Sequence, residues 1–210
     1  MEEEAIVVQV PRGPALEGRL AAGPDPKGGV VVCHPHPLYG GDMDNPVVIR
    51  AAGVAHAAGH ATLRFNFRGA GRSEGAHDKG RGEQDDVRAA MAELAARLPA
   101  GAPIVVIGYS FGAWTAAQAT RPSTPEVPLG LIAPPLGMYT FDFLQTDPGR
   151  LLLVAGTQDS YCPPEALHRL AAQTGAEERV IEGADHFFFG KLYPLGEAIV
   201  AWLAGGTPAR

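Results

Sequence analysis

Ile104-Val105-Val106-Ile107-Gly108-Tyr109-Ser110-Phe111-Gly112 is the stretch on which the fold turns. Four consecutive branched apolar residues suit a strand buried on both faces. The Ala-rich run from Ser110 to Thr120 behind it reads as a helix that ends before Pro122. Small residues at Gly108 and Gly112 let neighbouring backbone approach the turn between them. Gly-x-Ser-x-Gly by itself is common by chance, and an ordinary glycine-rich turn is the bland alternative. Its place after a strand and before a helix makes it a candidate nucleophile elbow, with Ser110 at the tip. The helix start behind Ser110 offers its positive end to developing negative charge.

Outward from this unit the same alternation continues. Further strands are predicted at 5–10, 18–21, 30–33, 61–67, 127–133, 151–155 and 179–181, and helices at 46–60, 83–98, 163–174 and 192–203. The first of these helices should turn Ile49, Ala52, Val54 and Ala55 to the core. Short apolar strands alternating with helices mean an α/β fold: a mostly parallel, twisted sheet of about eight strands with helices on both faces. No repeat or linker divides the chain, so residues 1–210 are read as one domain.

Composition agrees. The chain has 210 residues, 46% hydrophobic and 19% charged, with 27 glycines and 19 prolines. No apolar run is long enough to cross a membrane. The net charge is -6, and no basic stripe is visible, so neither nucleic acid nor a membrane is an expected partner. Two cysteines, Cys33 and Cys162, make no disulfide framework. The start Met1-Glu2-Glu3-Glu4 is unlike the basic opening of an export signal. A cytoplasmic location is the expectation. Nothing in the sequence distinguishes a monomer from a homodimer.

A serine nucleophile needs a base, and the base needs an orienting carboxylate. His186 follows the strand near 179–181, and Asp159 follows the strand at 151–155. Both lie past the carboxyl ends of parallel strands, where open α/β sheets bind ligands. Asp142 is the alternative acid; Asp185 adjoins His186 and is the poorer one. An oxyanion hole would take the N–H of Phe111 and a second donor from Cys33-His34-Pro35-His36-Pro37-Leu38-Tyr39-Gly40-Gly41. Prolines carry no N–H, which leaves His36, Leu38 or Tyr39, with Leu38 narrowly favoured over His36. His34 and His36 superficially suggest a metal pair, but no cluster of ligands accompanies them. Gly69-x-Gly71 followed by Gly75 has the wrong spacing for a dinucleotide loop. No metal or cofactor is expected.

These motifs, with Arg68-Gly69-Ala70-Gly71-Arg72-Ser73-Glu74-Gly75, Gly156-Thr157-Gln158-Asp159 and Asp185-His186, together resemble the α/β-hydrolase superfamily over nearly the whole chain. The order Ser110…Asp159…His186 is that family's order. Within it the chain is similar to a small, lidless bacterial branch near dienelactone-hydrolase-like proteins. The resemblance implies Ser110 as nucleophile, Asp159 as acid and His186 as base. Many members have His-Gly where this chain has His34-Pro35, so the second oxyanion donor does not transfer. True dienelactone hydrolases carry a cysteine where Ser110 stands, so dienelactone is not indicated.

The expected activity is hydrolysis of small acyl esters, of carboxylesterase or thioesterase type, through an acyl-enzyme. A peptidase or amidase on the same residues, or a non-catalytic binding protein of this fold, are the alternatives. The segment 134–149 is too short for a helical lid. Its Met138, Tyr139 and Phe141, with Tyr39, are expected to line a shallow substrate pocket. Short acyl groups are therefore expected over long ones. Phe187-Phe188-Phe189 either wall that pocket or pack in the core.

Overall fold

The computed structural model describes residues 1–121, 124, 126–145 and 149–205. Its eight strands are β1 (Glu4–Gln9), β2 (Ala15–Ala21), β3 (Gly29–Cys33), β4 (Ala61–Phe65), β5 (Ile104–Tyr109), β6 (Leu129–Ile132), β7 (Leu151–Gly156) and β8 (Glu177–Ile181). Five helices connect or follow them: α1 (Pro46–Ala57), α2 (Arg81–Ala95), α3 (Phe111–Thr120), α4 (Pro164–Thr174) and α5 (Leu192–Ala204). The strands form one sheet in the order β1-β2-β4-β3-β5-β6-β7-β8. Only β2 runs antiparallel to its neighbours, β1 and β4; every pairing from β4 to β8 is parallel.

The central strands are apolar on both faces, and their side chains divide by alternation. Val31 and Cys33 of β3 and Val106 of β5 join a core with Leu94 of α2, Ala113 of α3 and Leu167 of α4. Val30, Val32, Val105 and Ile107 join a second core with Val48 of α1 and Ile199 and Trp202 of α5. Helices thus cover both faces, as period-two strands without polar positions require. On α1 the buried face is Val47, Val48, Ala51, Ala52, Val54 and Ala55. Ile49, expected inward, is 43% exposed. Helix α1 begins at Pro46, and the Asn45 side chain accepts the Val47 N–H. That cap and the proline set where the helix starts.

Register places the site. Cys33 of β3 pairs with Gly108 of β5, so the loop after β3 leaves the sheet beside the elbow. Gly156 of β7 pairs with Ile181 of β8, so the two following loops also start side by side. All four loops emerge at the same, carboxyl-terminal edge of the parallel strands.

Candidate active site

Ser110 sits between β5 and α3 with φ 55° and ψ -118°, a left-handed conformation that a residue with a Cβ adopts only under constraint. The constraint is local. The Ser110 N–H donates to the Ile132 carbonyl at 2.9 Å, which ties the turn to β6. A Cβ on Gly108 would overlap the Gly112 carbonyl, and one on Gly112 would overlap the carbonyls of Cys33 and His34. Only glycine lets the turn close this tightly against the end of β3.

The loop after β8 brings His186 to Ser110. His186 Nε2 lies 2.9 Å from Ser110 Oγ. His186 Nδ1 lies 2.9 and 3.0 Å from the two carboxylate oxygens of Asp159. A carboxylate only accepts, so Nδ1 carries the ring proton and Nε2 is left to accept from the serine hydroxyl. Asp159 is itself held: its Oδ1 accepts the N–H groups of Tyr161 and Cys162 at 2.9 and 3.0 Å. Asp159 and His186 are both buried. Asp185 instead accepts the N–H groups of Phe187 and Phe189 and shapes the loop. Asp142 is exposed in a short 3-10 turn.

The Phe111 N–H opens α3 and has no hydrogen-bond partner among the described residues. Of the three candidate donors after β3, two are spent. Leu38 N–H donates to His36 Nδ1 at 3.2 Å, and Tyr39 N–H donates to the His36 carbonyl at 3.1 Å. The His36 N–H is unpaired among the described residues. The preference for Leu38 is therefore corrected to His36. The short 3-10 turn at Pro37–Tyr39 consumes the N–H of Leu38 and leaves its side chain 69% exposed.

His34 and His36 are engaged separately. His34 is sealed beneath the loop: its Nδ1 meets the Pro35 carbonyl at 2.6 Å and its Nε2 accepts the Phe67 N–H at 2.9 Å. Burial depresses its pKa to about 4, so the ring is neutral. Burial, reinforced by His77 nearby, also lowers the pKa of His36.

A cavity of about 390 Å³ opens over Ser110. Met138, Tyr139 and Tyr39 line it, as expected, and so do His36 and Phe111. Phe141 does not. It is 3% exposed and packs in the core, stacked on Phe143, so its assignment to the pocket is withdrawn. Of the segment 134–149, residues 146–148 lie outside the described residues. Three lining residues escaped the sequence reading: Asn45, whose cap position is set by Pro46; Tyr109, which flanks the nucleophile; and Tyr161, whose ring lies 4.7 Å from that of His186. The phenylalanine run divides: Phe187 lines the cavity, Phe188 is buried, and Phe189 is 88% exposed. Among the described residues no Asp, Glu, Lys or Arg lines the cavity.

Comparison with known proteins agrees with the fold. A family model described as the alpha/beta hydrolase fold matches residues 30–127. A crystal structure from Xanthomonas campestris, described as an α/β serine hydrolase without a lid, is 32% identical. It superposes with a TM-score of 0.87 over 100% of this chain and 97% of that one. This chain belongs to the α/β-hydrolase superfamily. A serine hydrolase homologue of that fold from Coxiella burnetii is 34% identical, with a TM-score of 0.87 over 96% of this chain and 97% of that one. An uncharacterized protein of Rickettsia prowazekii is 36% identical over 200 residues, which cover 90% of this chain and 84% of that protein. This α/β hydrolase shares its fold with the Xanthomonas protein and is a hydrolase by family. Among its described residues no helix is long and apolar enough to cross a membrane.

Proposed function

We propose that this α/β hydrolase is a serine esterase that cleaves small acyl esters or thioesters through an acyl-enzyme on Ser110. The observation that carries the reading is the unbroken chain from Ser110 Oγ to His186 Nε2, and from His186 Nδ1 to Asp159. His186 takes the hydroxyl proton as Oγ attacks the acyl carbonyl carbon. Asp159 holds the ring in the tautomer that leaves Nε2 free and stabilises the imidazolium that forms. The negative charge on the carbonyl oxygen falls to the N–H groups of Phe111 and His36, each worth roughly 3–4 kcal/mol of barrier. His186 then gives its proton to the leaving alcohol or thiol. A water enters, gives its proton to His186, attacks the acyl carbon and releases the acid, and the proton returns to Ser110.

The cavity's size supports short acyl groups, since about 390 Å³ lies at the small end of ligand sites. Labelling by a fluorophosphonate probe, with and without Ser110→Ala, tests the nucleophile. A panel of ester, thioester and amide substrates of increasing acyl length tests the class. The expected result is Ser110-dependent labelling, with ester or thioester turnover greatest at short chains. Labelling that survives Ser110→Ala would sink the mechanism, and a preference for amides would make the protein a peptidase or amidase.

A further inference from the structure

The catalytic scheme above uses the backbone N–H of His36 and leaves its imidazole without a role. That ring is held unusually well. Its loop is stiffened by Pro35 and Pro37, which fix φ on either side. The ring centroid lies 4.7 Å from each of Tyr39, His77 and Phe111. His77 is backed in turn by Glu83, whose fully buried carboxylate lies 2.6 Å from His77 Nδ1. Glu83 is anchored at the start of α2 by the N–H groups of Asp78 and Gly80.

The tautomer of His36 is also fixed. Nδ1 accepts the Leu38 N–H, and a neutral imidazole that accepts at one nitrogen donates at the other. Burial first, then His77, lowers the pKa of the ring against the opposing pull of the Glu83 carboxylate, and the lowered pKa favours the neutral form. Nε2–H is therefore a donor. It has no partner among the described residues, and it is not one of the sealed polar atoms. His36 lines the cavity beside Phe111, and among the described residues no carboxylate lines that cavity to receive the donor.

We propose that the His36 imidazole selects the acyl group: its Nε2–H donates to an oxygen acceptor on the acyl chain, so the preferred substrates are esters of oxo-, alkoxy- or carboxy-substituted acids rather than plain alkanoates. This rests on the serine-esterase reading. A donor on the wall of a solvent-filled cavity is satisfied by water when no ligand is bound. A plain alkyl chain in the cavity displaces that water and leaves the donor bare, whereas an oxygen on the chain replaces it. The same logic makes polar sites reject analogues that lack the matching atom more strongly than apolar pockets reject an extra methylene.

The test compares 4-nitrophenyl 4-oxopentanoate and the mono-4-nitrophenyl ester of succinic acid with 4-nitrophenyl pentanoate. Each kcat/KM is divided by that ester's second-order rate with an added thiol, taken from the slope against thiol concentration, which reports carbonyl reactivity without participation by the chain's own oxygen. The native enzyme is expected to favour at least one oxygen-bearing ester by about 10-fold or more. Two variants follow: His36→Asn, which keeps an acceptor for the Leu38 N–H, and His36→Phe, which keeps the ring stack. In both, the ratio should fall toward one, whatever happens to the absolute rates. A native ratio near one, or a ratio retained in both variants, overturns the assignment. If the variants do not fold, competitive inhibition of the native enzyme decides: 4-oxopentanoate must bind more tightly than pentanoate. Turnover of pentanoate with no preference removes only the role of His36. Absence of turnover on every ester, with no labelling of Ser110, removes the esterase reading and this assignment with it.

Discussion

The Tyr109 hydroxyl donates to the backbone carbonyl of His186 at 3.0 Å. The residue just before the nucleophile thus holds the loop that carries the base. The bond is buried, and burial raises the pKa of the phenol well above its ordinary value, so it stays a donor. The Tyr109 ring also lies 5.7 Å from the His186 ring. Tyr109→Phe removes the hydroxyl and strands a buried carbonyl, at a cost of about 1–3 kcal/mol. We expect kcat to fall by a larger factor than KM rises, because the loop that loosens carries the base as well as Phe187 of the cavity wall. Steady-state kinetics and urea midpoints check both parts. An unchanged kcat would mean that the loop is held by other contacts.

Asp159→Asn should leave the fold in place and nearly abolish turnover. The Asn carbonyl can still accept the N–H groups of Tyr161 and Cys162. Its amide nitrogen, however, offers a donor to His186 and favours the tautomer with the proton on Nε2. A loss on the order of 10⁴-fold in kcat is expected. Near-native circular dichroism with a much smaller kinetic loss would count against Asp159 as the orienting acid.

Gly156→Ala should damage the site from behind. A Cβ at position 156 would overlap the Ala184 carbonyl, in the loop that leads to His186. Gly156 ends β7 just ahead of Asp159, so one methyl group pushes the acid loop and the base loop apart. Overpacking of this kind costs about 1–3 kcal/mol. Thermal melting should drop, and kcat with it. Native activity in the alanine variant would show that the two loops can separate without harm.

His34 gives the fold a dependence on mild acid. Its pKa is about 4 when folded, against an ordinary 6.5. Between those values the unfolded chain binds the proton and the folded chain does not. The stability contributed by neutral His34 is therefore complete above pH 6.5 and is lost as pH falls toward 4. The whole span is worth roughly 3 kcal/mol. Urea midpoints measured from pH 7 to pH 4.5 should fall in the native protein and fall less in His34→Gln. Parallel slopes in the two proteins would exclude His34 as the cause.

The order of strands and helices was legible because each element carries a strong local signal: short continuous apolar runs for β3 and β5, and proline starts for α1 and α4. Ser110, Asp159 and His186 were legible because each follows such a strand. The errors lie where a side chain bonds locally and no period exists. Leu38 lost its place to His36 because one imidazole nitrogen captures the Leu38 N–H, and no spacing rule encodes that bond. Phe141 reads like its neighbours Met138 and Tyr139, yet the short 3-10 turn at Asp142–Gln145 sends it inward beside Phe143 and Leu144. Ile49 stands one residue past Val48 in the stripe Val48, Ala51, Ala52 and Ala55, about 100° further round the helix, and so faces outward. Gly156 gave no sign that a carbonyl from the next loop passes against it.

A glycine would occupy position 110 with less strain than the serine does, since φ 55° carries no Cβ penalty there. Chemistry and durability therefore pull in opposite directions at this one residue. A laboratory selection that rewarded only survival at high temperature would drift toward an inert protein of the same shape. Breeding a hardier catalyst from this chain means scoring turnover in every round, and seeking added stability far from the elbow.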